Sequence, residues 1–272
     1  MLTFKTEAHQ RLAAGLLGLT LGELRARQVL GQLELPESFA QAARRLDRGE
    51  PLQYVLGRAP FRGLELKVGP GAFIPRPETE IVAGVAIAAL QAFPPTERWA
   101  VDLGTGAGPV AAALVTEVPG ARVWAVERSW AAGGQARENL EPLGVEVVLA
   151  DAAQVATATG PLAQLTGQAA VVVANPPYLP PGTVLGPGVG EYEPPAALWG
   201  GGETGLEAPL VFLAAAARLL RPGGVVVLEH DPSQATALRQ AAVENGDFRD
   251  ALTGPDLVGR DRYLRAVRRE KP

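Results

Sequence analysis

The chain has 272 residues, room for one large domain or two modest ones, with 47% hydrophobic and 20% charged residues and no repeat or low-complexity period. It has no cysteine and only two histidines, His9 and His230, which excludes disulfides, thiolate metal sites and a cysteine nucleophile and leaves little room for a histidine-based triad; no metal site is expected. A formal net charge of −4 argues against a chain built chiefly to grip phosphate backbones.

From Ala8 to Arg48, apolar residues such as Leu12, Leu16, Leu24, Leu30, Leu33, Ala43 and Leu46 recur at mixed three- and four-residue spacings. That periodicity predicts three short helices, broken at Gly18 to Gly22, where Thr20 can cap the next helix, and again at Leu35 to Ser38. His9 reads as a solvated helix residue. Tyr54-Val-Leu-Gly57 and Phe61 to Val68 alternate apolar with polar around turn residues and predict a linking β-hairpin, closed by Pro75 and Pro77. The expected organisation is a helical bundle over 1–50, a hairpin linker over 51–72 and a larger unit over 73–272. The first ten residues lack a signal-peptide pattern, and no apolar run approaches the roughly 18 residues of a membrane span. A cytoplasmic protein with no membrane partner is the expectation.

From Glu78 onward helical segments alternate with short β-branched runs at Trp99 to Leu103, Arg122 to Val126, Val145 to Leu149, Ala170 to Ala174 and Val225 to Glu229. Alternation of this kind predicts an α/β fold: a doubly wound, mostly parallel sheet covered by helices. Such sheets bind ligands beyond the carboxyl ends of their strands.

The first of these ends reads Asp102-Leu-Gly104-Thr105-Gly106-Ala107-Gly108. Its glycines allow a tight turn and close approach of a ligand to backbone amides at a helix start, although a purely structural turn would look the same. The second strand ends at Glu127, where a carboxylate can accept both hydroxyls of a ribose, and the third at Asp151, which could accept from an adenine amino group. Together the three ends suggest an adenosine-containing cofactor. Asp102 stands where a diphosphate would have to approach, which disfavours NAD and favours a cationic or zwitterionic partner. The fourth strand ends in Asn175-Pro176-Pro177-Tyr178. Its prolines remove amide donors, Asn175 offers a side-chain carbonyl and Tyr178 an aromatic wall; such a ring of acceptors suits an NH2 group.

These strand ends resemble the motifs of class I S-adenosylmethionine methyltransferases acting on planar NH2 groups. Adding Gly49-Glu-Pro-Leu-Gln-Tyr-Val-Leu-Gly57, Ile74-Pro-Arg-Pro-Glu-Thr-Glu80, Tyr192-Glu-Pro194, Gly201-Gly-Glu-Thr-Gly-Leu206 and Asp256-Leu-Val-Gly-Arg-Asp-Arg262, the chain resembles, over nearly its whole length, the HemK/PrmC family. That family N5-methylates the glutamine of the Gly-Gly-Gln motif in class 1 peptide-chain release factors. The resemblance implies S-adenosylmethionine as cofactor, with Asp102 and the Gly104 to Gly108 loop at its methionine part, Glu127 on the ribose, Asp151 and Ala152 by the adenine, and Asn175 beside it. It implies that Asn175 and the Pro176 carbonyl hold the substrate amide between Phe73, Pro177 and Tyr178. Release factors are then the partners and a monomer the expected state. The alternative is an adenine-N6 nucleic-acid methyltransferase, which shares the Asn-Pro-Pro-Tyr tetrapeptide; the net acidity and the small helical bundle argue against direct nucleic-acid binding. Gly133-Gly134-Gln135 spells the family's own target tripeptide inside a predicted helix and is read as coincidence.

Overall fold

The computed structural model describes residues 4–29, 33–155, 157–244 and 246–270, so Leu30 lies outside the described residues. The chain opens with helices α1 (Glu7–Leu17), α2 (Leu21–Val29), α3 (Phe39–Asp47) and the five-residue α4 (Leu52–Leu56). Thr6 caps α1 by accepting the His9 amide, and Gly18 ends it in the left-handed region at φ 65°. Thr20 starts α2 with a capping box: the Glu23 amide donates to Thr20 Oγ1 at 3.2 Å and the Thr20 amide to Glu23 Oε2 at 2.8 Å. Leu12, Ala42 and Val55 close one seam of the bundle, and Ala13, Ala14 and Leu24 another.

Two expectations for this region are corrected. His9 is buried, with Nε2 3.1 Å from Asp47 Oδ1 and Nδ1 2.8 Å from Thr6 Oγ1, and so joins the start of α1 to the end of α3. Tyr54 to Leu56 are helical, not a strand. A run this short fits either period, and here Val55 and Leu56 turn into the bundle while the Tyr54 hydroxyl donates to the Ala72 carbonyl. The hairpin is confined to β1 (Arg58–Phe61) and β2 (Leu64–Lys67).

Beyond it follow α5 (Pro77–Gln91), β3 (Trp99–Leu103), α6 (Pro109–Glu117), β4 (Arg122–Glu127), α7 (Trp130–Leu140), β5 (Glu146–Leu149) and the one-turn α8 (Ala152–Val155). Then come β6 (Ala169–Ala174), the one-turn α9 (Val189–Tyr192), α10 (Glu207–Leu219), β7 (Leu220–Glu229), α11 (Ala235–Glu244), β8 (Phe248–Pro255) and β9 (Asp261–Arg268). Strands β3 to β7 are the runs legible in the sequence. Among the described residues the sheet has seven strands in the order β5-β4-β3-β6-β7-β9-β8. The first five of these are parallel, and β9 runs antiparallel between β7 and β8. That closing hairpin was not anticipated.

Alternation along the strands divides the core. Ala100, Val171, Val173, Val225 and Val227 face α5, α6 and α7, while Val101, Leu103, Val172, Val226 and Leu228 face α10 and α11. Strand order reverses at β3, whose neighbours are β4 and β6, and a crevice opens there at the carboxyl ends.

Candidate active site

A cavity of about 290 Å³ occupies that crevice. Phe73, Asp102, Gly104, Thr105, Gly106, Ala107, Glu127, Asp151, Ala152, Asn175, Pro177 and Tyr178 line it; of the residues singled out in the sequence, Gly108 and Pro176 stand outside the lining. At Gly108 the space a side chain would need is filled by Leu140.

The glycine loop is braced from below by Asp102, which is only 1% exposed. Its Oδ2 accepts the Thr105 hydroxyl at 2.6 Å and the Ala111 amide at 3.1 Å, so the carboxylate links the loop to the first turn of α6. Burial pushes the Asp102 carboxyl up to about 7, against the pull of those two bonds and with a further upward push from Glu127. Gly104 and Gly106 are left-handed, at φ 69° and 60°. A Cβ on Gly104 would stand 2.9 Å from Phe212 Cε1, whereas one on Gly106 would meet nothing within 4 Å.

Glu127 closes the other side of the loop. Its Oε2 accepts the Gly106 amide at 2.9 Å and its Oε1 the Ser129 amide at 2.8 Å. Burial raises its pKa, opposed by those amides. Each oxygen keeps a second lone pair for a hydroxyl donor. Asp151 stands at the rim, 3.6 Å from Arg128 Nη1, with Oδ1 accepting the Ala153 amide at 2.8 Å; Ala152 is buried beside it.

The Asn-Pro-Pro-Tyr turn is held by residues that no local sequence signal singles out. Asn175 Nδ2 donates to Thr79 Oγ1 at 3.1 Å, and the Thr79 hydroxyl donates to Glu229 Oε2 at 2.8 Å. Glu229 Oε1 accepts the Tyr178 hydroxyl at 3.1 Å, and Gln234 Nε2 donates to the Tyr178 carbonyl at 2.7 Å. Burial pushes Glu229 up to about 7, offset in part by the Thr79 and Tyr178 hydroxyls and by Arg262, while Glu78 adds to the rise. His230, the next residue, is buried with Nδ1 2.8 Å from the Asp231 carbonyl, and burial lowers its pKa.

Each remaining motif meets this cavity or a residue that supports it. Glu193 is buried, accepts the Ile74 amide at 3.2 Å and pairs with Arg76, whose guanidinium lies 4.6 Å from the centre of the Phe73 ring. Thr204 receives the second N–H of Gln234 at 2.8 Å, and Gly205 packs against the Tyr178 carbonyl, where any Cβ would clash at 2.3 Å. Asp256 accepts Arg262 Nη2 at 3.3 Å and Arg260 Nε at 3.0 Å. Burial opposes its ionisation, but the Arg260 and Val258 amides and the two guanidiniums outweigh that and hold it at about 2. Tyr192 donates to the Arg48 carbonyl at 3.0 Å, joining the bundle to the wall. The Gly-Gly-Gln tripeptide also has a structural part: Gln135 clamps the chain at Gly69 and Pro70, accepting one amide at 2.8 Å and donating to both carbonyls.

A family model for the methyltransferase small domain matches residues 80–184. The chain is 44% identical over 247 residues to the release factor glutamine methyltransferase of Bifidobacterium longum, spanning 87% of this chain and 81% of that protein. It is 40% identical over 264 residues to the release factor glutamine methyltransferase of Streptomyces coelicolor, spanning 96% and 90%. Among solved structures, the Thermus thermophilus 16S rRNA N2-G1207 methyltransferase in complex with AdoMet and guanosine shares the fold, with a TM-score of 0.50 and 24% identity over 78% of this chain and 50% of that one. Identity of 40–44% over most of both chains, on a parallel sheet with an Asn-Pro-Pro-Tyr turn beside a glycine loop, shows that this chain belongs to the release factor glutamine methyltransferase family.

Proposed function

We propose that this chain transfers the methyl group of S-adenosylmethionine to the side-chain amide nitrogen of the glutamine in the Gly-Gly-Gln motif of class 1 release factors. The observation that carries this reading is the orientation of Asn175: its NH2 is tied back to Thr79, which turns Oδ1, an acceptor, away from that bond. An acceptor there suits a substrate that presents N–H groups.

The cavity's other wall suits the cofactor. Asp102 and Glu127 are carboxylates buried without a salt-bridge partner among the described residues, and both have raised pKa values, so a cationic ligand would relieve a cost that the fold leaves standing. Gly104 and Gly106 would let the methionine part lie against the loop, Glu127 would accept the ribose hydroxyls, and Asp151 with Ala152 would border the adenine. When bound, S-adenosylmethionine supplies an electrophilic methyl on a sulfonium.

The chain's own residues would then act by placement. Asn175 Oδ1 and the Pro176 carbonyl each accept one N–H of the glutamine amide, which fixes the nitrogen and enriches it slightly in electron density. Phe73, Pro177 and Tyr178 wall the amide off from water. No side chain removes a proton before transfer, because the N-methylated amide cation is acidic enough to lose its proton to water. Residues 1–50 would recruit the protein substrate and residues 73–272 carry the chemistry, with 51–72 linking them.

The test is incubation with labelled S-adenosylmethionine and a class 1 release factor, with duplex DNA in parallel, followed by mass spectrometry. Label on the Gly-Gly-Gln glutamine is expected; label on DNA adenine would overturn the reading in favour of a nucleic-acid enzyme. Asn175→Ala is expected to lower single-turnover transfer at least a hundredfold while cofactor affinity changes little.

A further inference from the structure

The Asn175 side chain can face its site in two ways that differ only by exchanging oxygen and NH2, and only one offers an acceptor to the substrate. What decides between them lies outside the Asn-Pro-Pro-Tyr turn. Thr79 Oγ1 is both donor and acceptor, so by itself it would accept the Asn175 NH2 or donate to its oxygen equally well. Glu229 removes that freedom. As a carboxylate it only accepts, it is 1% exposed, and it takes the Thr79 hydroxyl proton at 2.8 Å, leaving Thr79 Oγ1 to accept from Asn175 at 3.1 Å. Its second oxygen takes the Tyr178 hydroxyl at 3.1 Å and so fixes the aromatic wall as well.

We propose that Glu229 and Thr79 are positioning residues that set the direction of a hydrogen-bond relay, Tyr178 to Glu229 from one side and Asn175 through Thr79 to Glu229 from the other, so that Asn175 Oδ1 faces the acceptor amide whenever Glu229 is ionised. The relay rests on the transfer reading above. The charged and titratable groups around Glu229 are Arg262 on β9, Tyr178 after β6 and Glu78 on α5. Arg262 favours the ionised form and is itself held by Asp256, which ties the β8–β9 hairpin to the site. If Glu229 is protonated, or replaced by glutamine, a donor enters the relay. Thr79 can then accept from position 229 and donate to Asn175, which turns the NH2 of Asn175 toward the substrate and removes the acceptor.

Three variants test this at saturating cofactor. Glu229→Gln and Thr79→Val are expected to lower the single-turnover rate at least tenfold with cofactor Kd within about twofold of the parent chain; Thr79→Ser, which keeps the hydroxyl, is expected to retain the rate. In the parent chain the single-turnover rate is expected to fall as pH drops below about 7, the value to which Glu229 is pushed. In Glu229→Gln that limb is expected to vanish. A Thr79→Val chain as fast as Thr79→Ser, or a Glu229→Gln chain with the parent's rate and pH profile, would overturn the relay. If Glu229→Gln fails to fold, the Thr79 pair decides alone. A parent chain that methylates no release factor refutes the function on which the relay rests, a result distinct from an active parent whose variants are unimpaired.

Discussion

Cofactor affinity should depend on pH through Asp102. In the free protein burial holds this carboxyl near 7, and no cation pairs with it among the described residues. A sulfonium and an ammonium brought close by S-adenosylmethionine favour the ionised form, so below pH 7 binding must expel a proton. With a pKa of about 7, roughly half the chains carry the anion at pH 7 and about a tenth at pH 6. The affinity then drops about fivefold over that unit and approaches a tenfold loss, ~1.4 kcal/mol, for each further unit. The cofactor's own α-amino group titrates at about 7.7–8.0, above this window. Calorimetric titration between pH 6.0 and 7.5, in two buffers of different ionisation enthalpy, measures both the affinity and the protons released. Asp102→Asn keeps an acceptor for Thr105 and Ala111 but has no proton to lose, so its slope should be shallower and its affinity lower at pH 7.5. An affinity that is constant from pH 7 to 6 with no proton release would refute the assignment of Asp102 to the cation.

Gly104→Ala is expected to destabilise by about 3 kcal/mol, about 1 from the left-handed backbone and the rest from overlap with Phe212, measured by denaturant unfolding. Gly106→Ala should lose only the first part, and Phe212→Leu should recover most of the second in the Gly104→Ala background. In α7, Gly134→Ala should stabilise by about 1 kcal/mol, because the position is open and helical. Gly133→Ala should gain at least 1 kcal/mol less, since its Cβ meets Leu149 Cδ2 at 2.4 Å; equal gains would refute the packing account.

The readable parts of this protein are those whose signal is local. The strands β3 to β7 announce themselves because both faces of a covered parallel strand are apolar, and the glycine loop, Glu127 and Asn175 to Tyr178 sit at their ends by topology alone. The strands β8 and β9 escape the same reading. Leu252 is 60% exposed, Gly254 and Pro255 break the run, and Asp250 takes a left-handed φ of 55°, all signatures of an irregular edge strand, while the tip from Asp256 to Arg262 reads as a motif first. His9 is equally illegible because a polar residue at a helix start is usually solvated; its burial depends on Asp47, brought over from the far end of α3.

The least legible residues are those that hold the acceptor turn. Thr79 lies at the start of α5 and Glu229 at the end of β7, 150 positions apart, and neither type of residue in such a place is unusual by itself. Only the sheet order, which sets β7 beside β6, brings the Glu229 carboxylate next to the turn that follows β6. Once there, a buried carboxylate demands donors, and the Thr79 and Tyr178 hydroxyls supply them. A local motif thus names the atoms proposed to meet the substrate amide, while long-range topology supplies the carboxylate that holds them through Thr79 and the Tyr178 hydroxyl. That division explains why Asn175 can be picked out from four residues of sequence and Glu229 cannot be picked out without the fold.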